Sequence, residues 1–324
     1  MAASALPFDA VAEWPTAVIP PYLKKGDLIG ITSPAGYITH EEIRPAVRVM
    51  ESWGYRVRLG KTIGRRDASF GGTDAERLDD LQQLLDDRAV RAIMCARGGY
   101  GAVRIVDGLK WNLFREHPKW IIGFSDITVL HSHLQRHLGI ASIHSKMCNS
   151  FPEVWEKADA VQKDTIESIR RALAGEPMQY SWAPNSQNRN GHAKGILTGG
   201  NLKTLETLAG TASDLNTQKR ILFVEDTGEY LYSIDRMFWN LARTGKLEHL
   251  AGLIIGGFKI KQDDPGEEFG KNLQAIVLEK VKRYSYPVCF DFPVGHQRDN
   301  FALKCGVQHK LSIGTDACTL TDTI

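Results

Sequence analysis

Val90-Arg-Ala-Ile-Met-Cys-Ala-Arg-Gly-Gly-Tyr-Gly101 and Trp120-Ile-Ile-Gly-Phe-Ser-Asp-Ile127 are the stretches from which the fold is read. In each, a short apolar run (Val90 to Cys95, then Trp120 to Ile122) passes directly into a loop that carries glycine. An apolar run without polar alternation suits a strand buried on both faces, as in a parallel sheet. The loop after such a strand lies at the C-terminal edge of the sheet, where open α/β sheets bind ligands. Ser125 is then held out where the strand turns into a helix predicted from Ile127 to His137. The backbone N–H of Asp126 falls at that helix N-terminus, beside any carbonyl bound at Ser125 Oγ, and is a natural oxyanion donor. A second donor needs a loop whose backbone can approach closely, which Gly98-Gly99 supplies. The pattern departs from G-x-S-x-G, because Ile127 stands at the last glycine position. A serine that only shapes a turn is the competing reading.

The same alternation extends along residues 27–178. Asp27 to Ser33 reads as a first strand ending in Pro34-Ala35-Gly36, Glu41 to Trp53 as a helix, and Arg56 to Leu59 as a second strand. Thr73-Asp-Ala-Glu76 is a capping-box start for a helix running to Asp87. Ala141 to His144 adds another strand, and Ala158 to Ala174 a long helix. Strands alternating with helices of this length predict a doubly wound parallel sheet. Residues 179–193, rich in Asn, Ser, Pro and Gly, read as a linker. Residues 194–324 read as a smaller, mixed α+β and β-rich domain. In it, strands at Gly195 to Leu202, Arg220 to Val224 and Leu253 to Gly257 interleave with helices near Lys203 to Ala209, Ser233 to Thr244 and Glu268 to Arg283. The final forty residues are short β segments.

At 324 residues and 43% hydrophobic content, the chain can bury two cores. Forty basic against 38 acidic residues, with no long single-sign run, argue against a nucleic-acid footprint and for a small-molecule partner. No stretch approaches the ~20 apolar residues of a membrane span. Residues 1–26 form a proline-bearing leader without the features of a signal peptide. Five scattered cysteines without C-x-x-C spacing fit reduced thiols in the cytoplasm, and neither a disulfide framework nor a zinc site.

A serine nucleophile needs a base within hydrogen-bond reach, and that base needs an orienting acceptor. His131, His133 and His137 fall on the helix after Ser125 and point away from the strand edge. His144, at a strand end, competes with His296, which Gly295 presents in the loop Phe292-Pro-Val-Gly-His-Gln297. Among carboxylates, Glu225 and Asp226 are delivered together to the end of a strand, with a helix cap or surface ion pair as the alternative role. Asp126 reads equally as a cap of its own helix.

These motifs together carry a resemblance. Arg97-Gly-Gly-Tyr-Gly101 with Arg104, Gly123-Phe-Ser-Asp126, Gly199-Gly-Asn-Leu202, Val224-Glu-Asp-Thr-Gly-Glu229 with Ile234-Asp-Arg236, and Gly295-His296 with Asn300 and Gly306 resemble the LD-carboxypeptidase family of serine peptidases. The resemblance runs in matching order from about Asp27 to Leu320. It covers murein tetrapeptide carboxypeptidases and microcin C self-immunity peptidases. It implies a Ser-Glu-His triad at Ser125, Glu225 and His296, with an oxyanion hole from Asp126 N–H and the Gly98-Gly99 loop. It further implies a metal-free, cofactor-free, cytoplasmic homodimer, with a Rossmann-like N-terminal domain and a C-terminal domain that swivels against it. Ala102-Val103 and Lys304 depart from the family pattern.

A carboxypeptidase must also recognise a free carboxylate, and Arg97 or Arg104, with Tyr100 beside them, are the expected substrate-binding residues. The expected reaction releases terminal D-alanine from murein tetrapeptides. The alternative is cleavage of peptidyl or aminoacyl nucleotides, for which Trp182 is the candidate stacking residue. A nucleotide or phosphate binder lacks both G-K-[ST] and G-x-G-x-x-G, and a two-domain solute binder lacks an export signal.

Overall fold

A computed structural model describes residues 17–323; residues 1–16, most of the expected leader, lie outside the described residues. The first half is a parallel sheet of β1 (Leu28–Thr32), β2 (Arg56–Leu59), β3 (Val90–Cys95), β4 (Trp120–Gly123) and β5 (Ser142–His144). Its order is β2-β1-β3-β4-β5, every pair parallel. The strand order reverses between β1 and β3, and the crevice at such a switch point is where doubly wound sheets take ligands. Helices α1 (His40–Ser52), α2 (Asp74–Asp86), α3 (Asn112–Glu116), α4 (Thr128–His137) and α5 (Ala160–Ala174) connect and cover these strands. The expected capping box at Thr73 is present, and Thr39 with Glu42 forms a second one at the start of α1.

The second half is built on β6 (Gln179–Trp182), β7 (Gly191–Asn201), β8 (Ile221–Glu229), β9 (Gly252–Ile260), β10 (Val288–Cys289), β11 (Leu303–Cys305), β12 (Gln308–Ile313) and β13 (Cys318–Asp322). All but β11 form a sheet of order β10-β9-β8-β7-β12-β13-β6. Strands β7 to β10 are parallel to one another, while β12, β13 and β6 join them antiparallel. Helices α6 (Leu202–Leu208), α7 (Leu231–Arg243) and α8 (Leu273–Val281) cover the parallel part. An α/β fold with a parallel first sheet and a mixed second one is therefore present, as the alternation of elements predicts.

The helix expected from Glu268 to Arg283 is shorter, Leu273–Val281, and β7 begins at Gly191, inside the expected linker; two further differences change the sheets. Gln179–Trp182, inside the stretch read as a linker, is an edge strand of the second sheet. Its polar outward residues conceal it, while Tyr180 is buried and Trp182 packs on Phe292 with ring centroids 4.7 Å apart. Strand β11 crosses over to pair antiparallel with β5 of the first sheet. There the departure at Lys304 becomes a buried ion pair, Lys304 Nζ to Asp322 Oδ2 at 2.9 Å, and Lys304 Nζ also donates to Glu176 O. One apolar core runs through both halves, including Ile29, Ala92, Ile143, Leu197, Phe223 and Phe292. Burying residues of both sheets in a single cluster fixes the two halves against each other and closes a seam over the ends of β4 and β8.

Candidate active site

The turn after β4 holds Ser125 at φ +61°, a left-handed conformation that a non-glycine residue keeps only under constraint. Gly98 presses against it: a Cβ at Gly98 would lie 3.1 Å from Ser125 Cβ, so a side chain there would crowd the serine. The Gly98 loop is tied to the loop after β1, since Gly36 N donates to Gly98 O at 2.9 Å. Asp126 does not cap its own helix through its side chain. Instead its Oδ2 accepts the N–H of Ala102 at 2.7 Å, joining the serine turn to the glycine loop. Burial pushes the Asp126 carboxyl up to about 6, offset in part by the Ala102 N–H, the Arg77 charge and the Gly101 N–H.

Arg77, invisible as a site residue in the sequence, completes this clasp. Its side chain is fully buried. It donates to Pro34 O, Gly101 O (2.9 Å) and Gly72 O (3.2 Å), and it pairs with Asp74. The loops after β1 and β3 and the one before α2 thus meet at one guanidinium. Nothing marks this position in an amphipathic helix whose other face is rich in Asp and Gln.

Across the seam, β8 delivers Glu225, whose side chain is fully buried, and the loop after β10 presents His296. His296 Nδ1 lies 2.6 Å from Glu225 Oε2, and His296 N donates to the same oxygen at 3.2 Å. Gly295 has φ +102°, and a Cβ there would meet Glu225 Cβ at 2.4 Å, so only glycine allows the histidine so close to the carboxylate. Asn300, fully buried, accepts Gly295 N–H at 2.8 Å. From the first half, Lys146 Nζ donates to Gln297 O at 2.6 Å, and Asp159 pairs with Arg298. The His296 ring packs on Phe124, the residue before Ser125, with centroids 4.9 Å apart. No direct hydrogen bond joins Ser125 Oγ to His296 among the described residues, and such contacts commonly tighten only when substrate is bound.

The competing histidines fall elsewhere. His144 is fully buried between Phe124 and Phe223, and burial, with the His131 and His296 charges adding to it, holds its imidazole well below the usual range. His131 is fully buried too and bonds to Gly123 O at 2.9 Å, with burial holding it down to about 4. Asp226, the other member of the strand-end pair, is used structurally: its oxygens accept Asn201 Nδ2, Lys203 N and Thr227 N.

A cavity of about 350 Å³ opens beside Ser125, with Gly99, Tyr100 and Asp126 on one side and Asn201, Lys203 and Asp226 on the other. Tyr100 lines it. Arg97 and Arg104 do not: Arg97 reaches Tyr37 O and faces Glu42, while Arg104 makes a bidentate pair with Asp74, Nε to Oδ1 at 2.9 Å and Nη2 to Oδ2 at 2.8 Å. Trp182 is also remote from it, being packed on Phe292 with Nε1 donating to Phe290 O. No cluster of three or more His, Cys, Asp or Glu residues suited to a metal occurs among the described residues, and none of their helices is long and apolar enough to cross a membrane.

Comparison with known proteins matches this architecture in two parts. Residues 29–145 match the model of the LD-carboxypeptidase N-terminal domain, and residues 194–311 that of the LD-carboxypeptidase C-terminal domain. The chain is 31% identical to a probable murein peptide carboxypeptidase of Bacillus subtilis, over 89% of this chain and 90% of that one. It is also 31% identical to the murein tetrapeptide carboxypeptidase of Pseudomonas aeruginosa, over 86% and 91% respectively. The crystal structure of muramoyltetrapeptide carboxypeptidase from Oxalobacter formigenes superposes with TM-score 0.80 at 28% identity, covering 92% of this chain and 99% of that one. The microcin C7 self immunity protein in complex with aspartyl sulfamoyl adenosine shares the fold, with TM-score 0.82 at 21% identity over 94% and 99%. With both domain models matched in order and relatives alike along nearly their whole length, the chain belongs to the LD-carboxypeptidase family and is a serine-type LD-carboxypeptidase.

Proposed function

We propose that this enzyme hydrolyses the L,D-peptide bond that releases terminal D-alanine from murein tetrapeptides, using Ser125, His296 and Glu225 as its triad. The Glu225 carboxylate accepts a hydrogen bond from the Nδ1–H of His296 and so leaves Nε2 as the basic nitrogen. His296 Nε2 removes the Ser125 Oγ proton as Oγ attacks the scissile carbonyl, then returns that proton to the departing amine of D-alanine. Water, deprotonated by the same nitrogen, hydrolyses the acyl-serine and regenerates the hydroxyl. The N–H groups of Asp126 and of the Gly98-Gly99 loop stabilise the oxyanion of each tetrahedral intermediate, a donor being worth roughly 3 kcal/mol of barrier.

The observation that carries this reading is the Glu225–His296 contact of 2.6 Å beside the left-handed Ser125 turn. Likeness to murein peptide carboxypeptidases supports the substrate. We divide the chain functionally into a nucleophile-bearing part, residues 27–178, and a part bearing Glu225 and His296, residues 194–324. The buried cysteines, all unpaired among the described residues, support a cytoplasmic setting, and we assign a homodimer from the family resemblance.

The test is to incubate purified enzyme with murein tetrapeptide and, separately, with an aminoacyl sulfamoyl adenosine. Release of D-alanine from the first at the higher kcat/KM supports the proposal. Hydrolysis of the nucleotide alone overturns it.

A further inference from the structure

Lys203 is the one lysine or arginine that lines the Ser125 cavity among the described residues. Its stem is anchored at the start of α6, where its own backbone N–H donates to Asp226 Oδ2 at 2.8 Å. Its ammonium is not. The side chain is 49% exposed, and its contact with a carboxylate is Glu206 Oε2 at 3.4 Å, a surface pair three residues apart on the helix. Pairs of that kind are weak and readily exchanged.

The carboxylates that share the cavity are committed to other donors. Asp126 accepts Ala102 N–H, Asp226 accepts Asn201 and two backbone N–H groups, and Glu229 accepts Ser233 Oγ–H at 2.6 Å. The remaining positive charge able to meet an incoming anion in this space is therefore the Lys203 ammonium. A carboxypeptidase must bind a carboxylate one residue beyond the bond it cuts, and taking that anion into a cleft without a cationic partner is costly. Arg97 and Arg104, the arginines expected for this task, are held by Tyr37 O and Asp74 outside the cavity.

We infer that Lys203 receives the free α-carboxylate of the residue to be released, and so sets the preference of this enzyme for chain ends. This rests on the proposed reading of Ser125 as nucleophile and of an L,D-peptide as substrate. The ammonium touches substrate and not the reacting bond, so its loss should raise KM and leave the reactivity of the serine intact.

The experiment compares wild type, Lys203→Met and Lys203→Arg in two measurements. The first is kcat/KM for D-alanine release from murein tetrapeptide. The second is the rate at which a small neutral alkyl fluorophosphonate, which has no carboxylate, phosphonylates Ser125. We expect Lys203→Met to lose about tenfold or more in kcat/KM, mainly through KM, because a charge-assisted hydrogen bond is lost. Lys203→Arg should recover most of it, and phosphonylation should proceed at the wild-type rate in both variants. Unchanged kcat/KM in Lys203→Met overturns the inference, and so does an equal fall in phosphonylation, which would mark a structural role. A wild type that is phosphonylated but cleaves no L,D-peptide overturns the substrate reading and this inference with it.

Discussion

Glu225 Oε2 holds His296 twice, through ring Nδ1 at 2.6 Å and backbone N at 3.2 Å. One buried oxygen therefore sets both the tautomer of the imidazole and the path of the loop that carries it. Replacing Glu225 with Gln keeps the volume but removes the charge that, in the proposed mechanism, stabilises the imidazolium. By the logic of such triads, kcat for D-alanine release is expected to fall on the order of 10⁴-fold, with the thermal midpoint changed by only a few degrees. A fall of less than tenfold in steady-state kinetics would remove Glu225 from the mechanism.

Arg77 gives a prediction about stability. Arg77→Leu leaves the buried carbonyls of Pro34 and Gly72 without their donor, while Gly101 O keeps the Arg104 N–H at 3.1 Å. Each such orphan costs about 1–3 kcal/mol, so urea unfolding should show a loss of roughly 2 kcal/mol or more. Arg77→Lys should recover part of it. A loss below about 1 kcal/mol in Arg77→Leu would mean that other donors replace the guanidinium.

The contrast between Ser125 and Arg77 shows what a sequence discloses. Ser125 is legible because its signal is local: an apolar run, a glycine, a serine and the start of a helix, all within eight residues. Glu225 and His296 are legible only as strand-end and post-glycine candidates, and their choice over Asp226 and His144 rests on the family resemblance. Arg77 is illegible because three loops distant from each other in the chain define its surroundings, and a buried guanidinium looks like any polar position of an amphipathic helix. Strand β6 was hidden for a related reason. Its pairing with β13 spans nearly the whole second half of the chain, and edge strands carry polar residues that read as loop.

The buried histidines set the response to acid. His131, His133 and His309 are held down to about 4, mainly by burial, whereas in the unfolded chain they titrate near 6.5. Between these values the unfolded state binds more protons, so these groups make stability rise with pH and their contribution is lost as pH falls from about 6.5 to 4. Asp126 and Asp226, raised to about 6 mainly by burial, act with the opposite sign across roughly 4 to 6. His144 adds to the three histidines, so the histidine contribution prevails. Unfolding free energy measured in urea from pH 7 to 4 should decline steadily, and Asp226→Asn, which removes an opposing group, should steepen the decline. A flat profile would contradict this account.

Lys146 reaches across the seam to hold Gln297 O at 2.6 Å, one residue past His296. Removing the ammonium in Lys146→Met should let the histidine loop drift. A displacement of about 1 Å at a reacting group costs up to ~10²-fold, so kcat should drop about tenfold or more. KM and the urea midpoint should change little, and unchanged kcat would show that Phe124 and the Asp159–Arg298 pair hold the loop without Lys146.

Ser125, presented by the left-handed turn after β4, is the proposed nucleophile on which every step above depends. The direct measurement is the rate of D-alanine release from murein tetrapeptide by Ser125→Ala beside wild type, with circular dichroism confirming that both are folded. The account predicts a loss of at least ~10⁴-fold, the scale on which serine triads fail without their nucleophile. A folded Ser125→Ala enzyme within tenfold of the wild-type rate would contradict it.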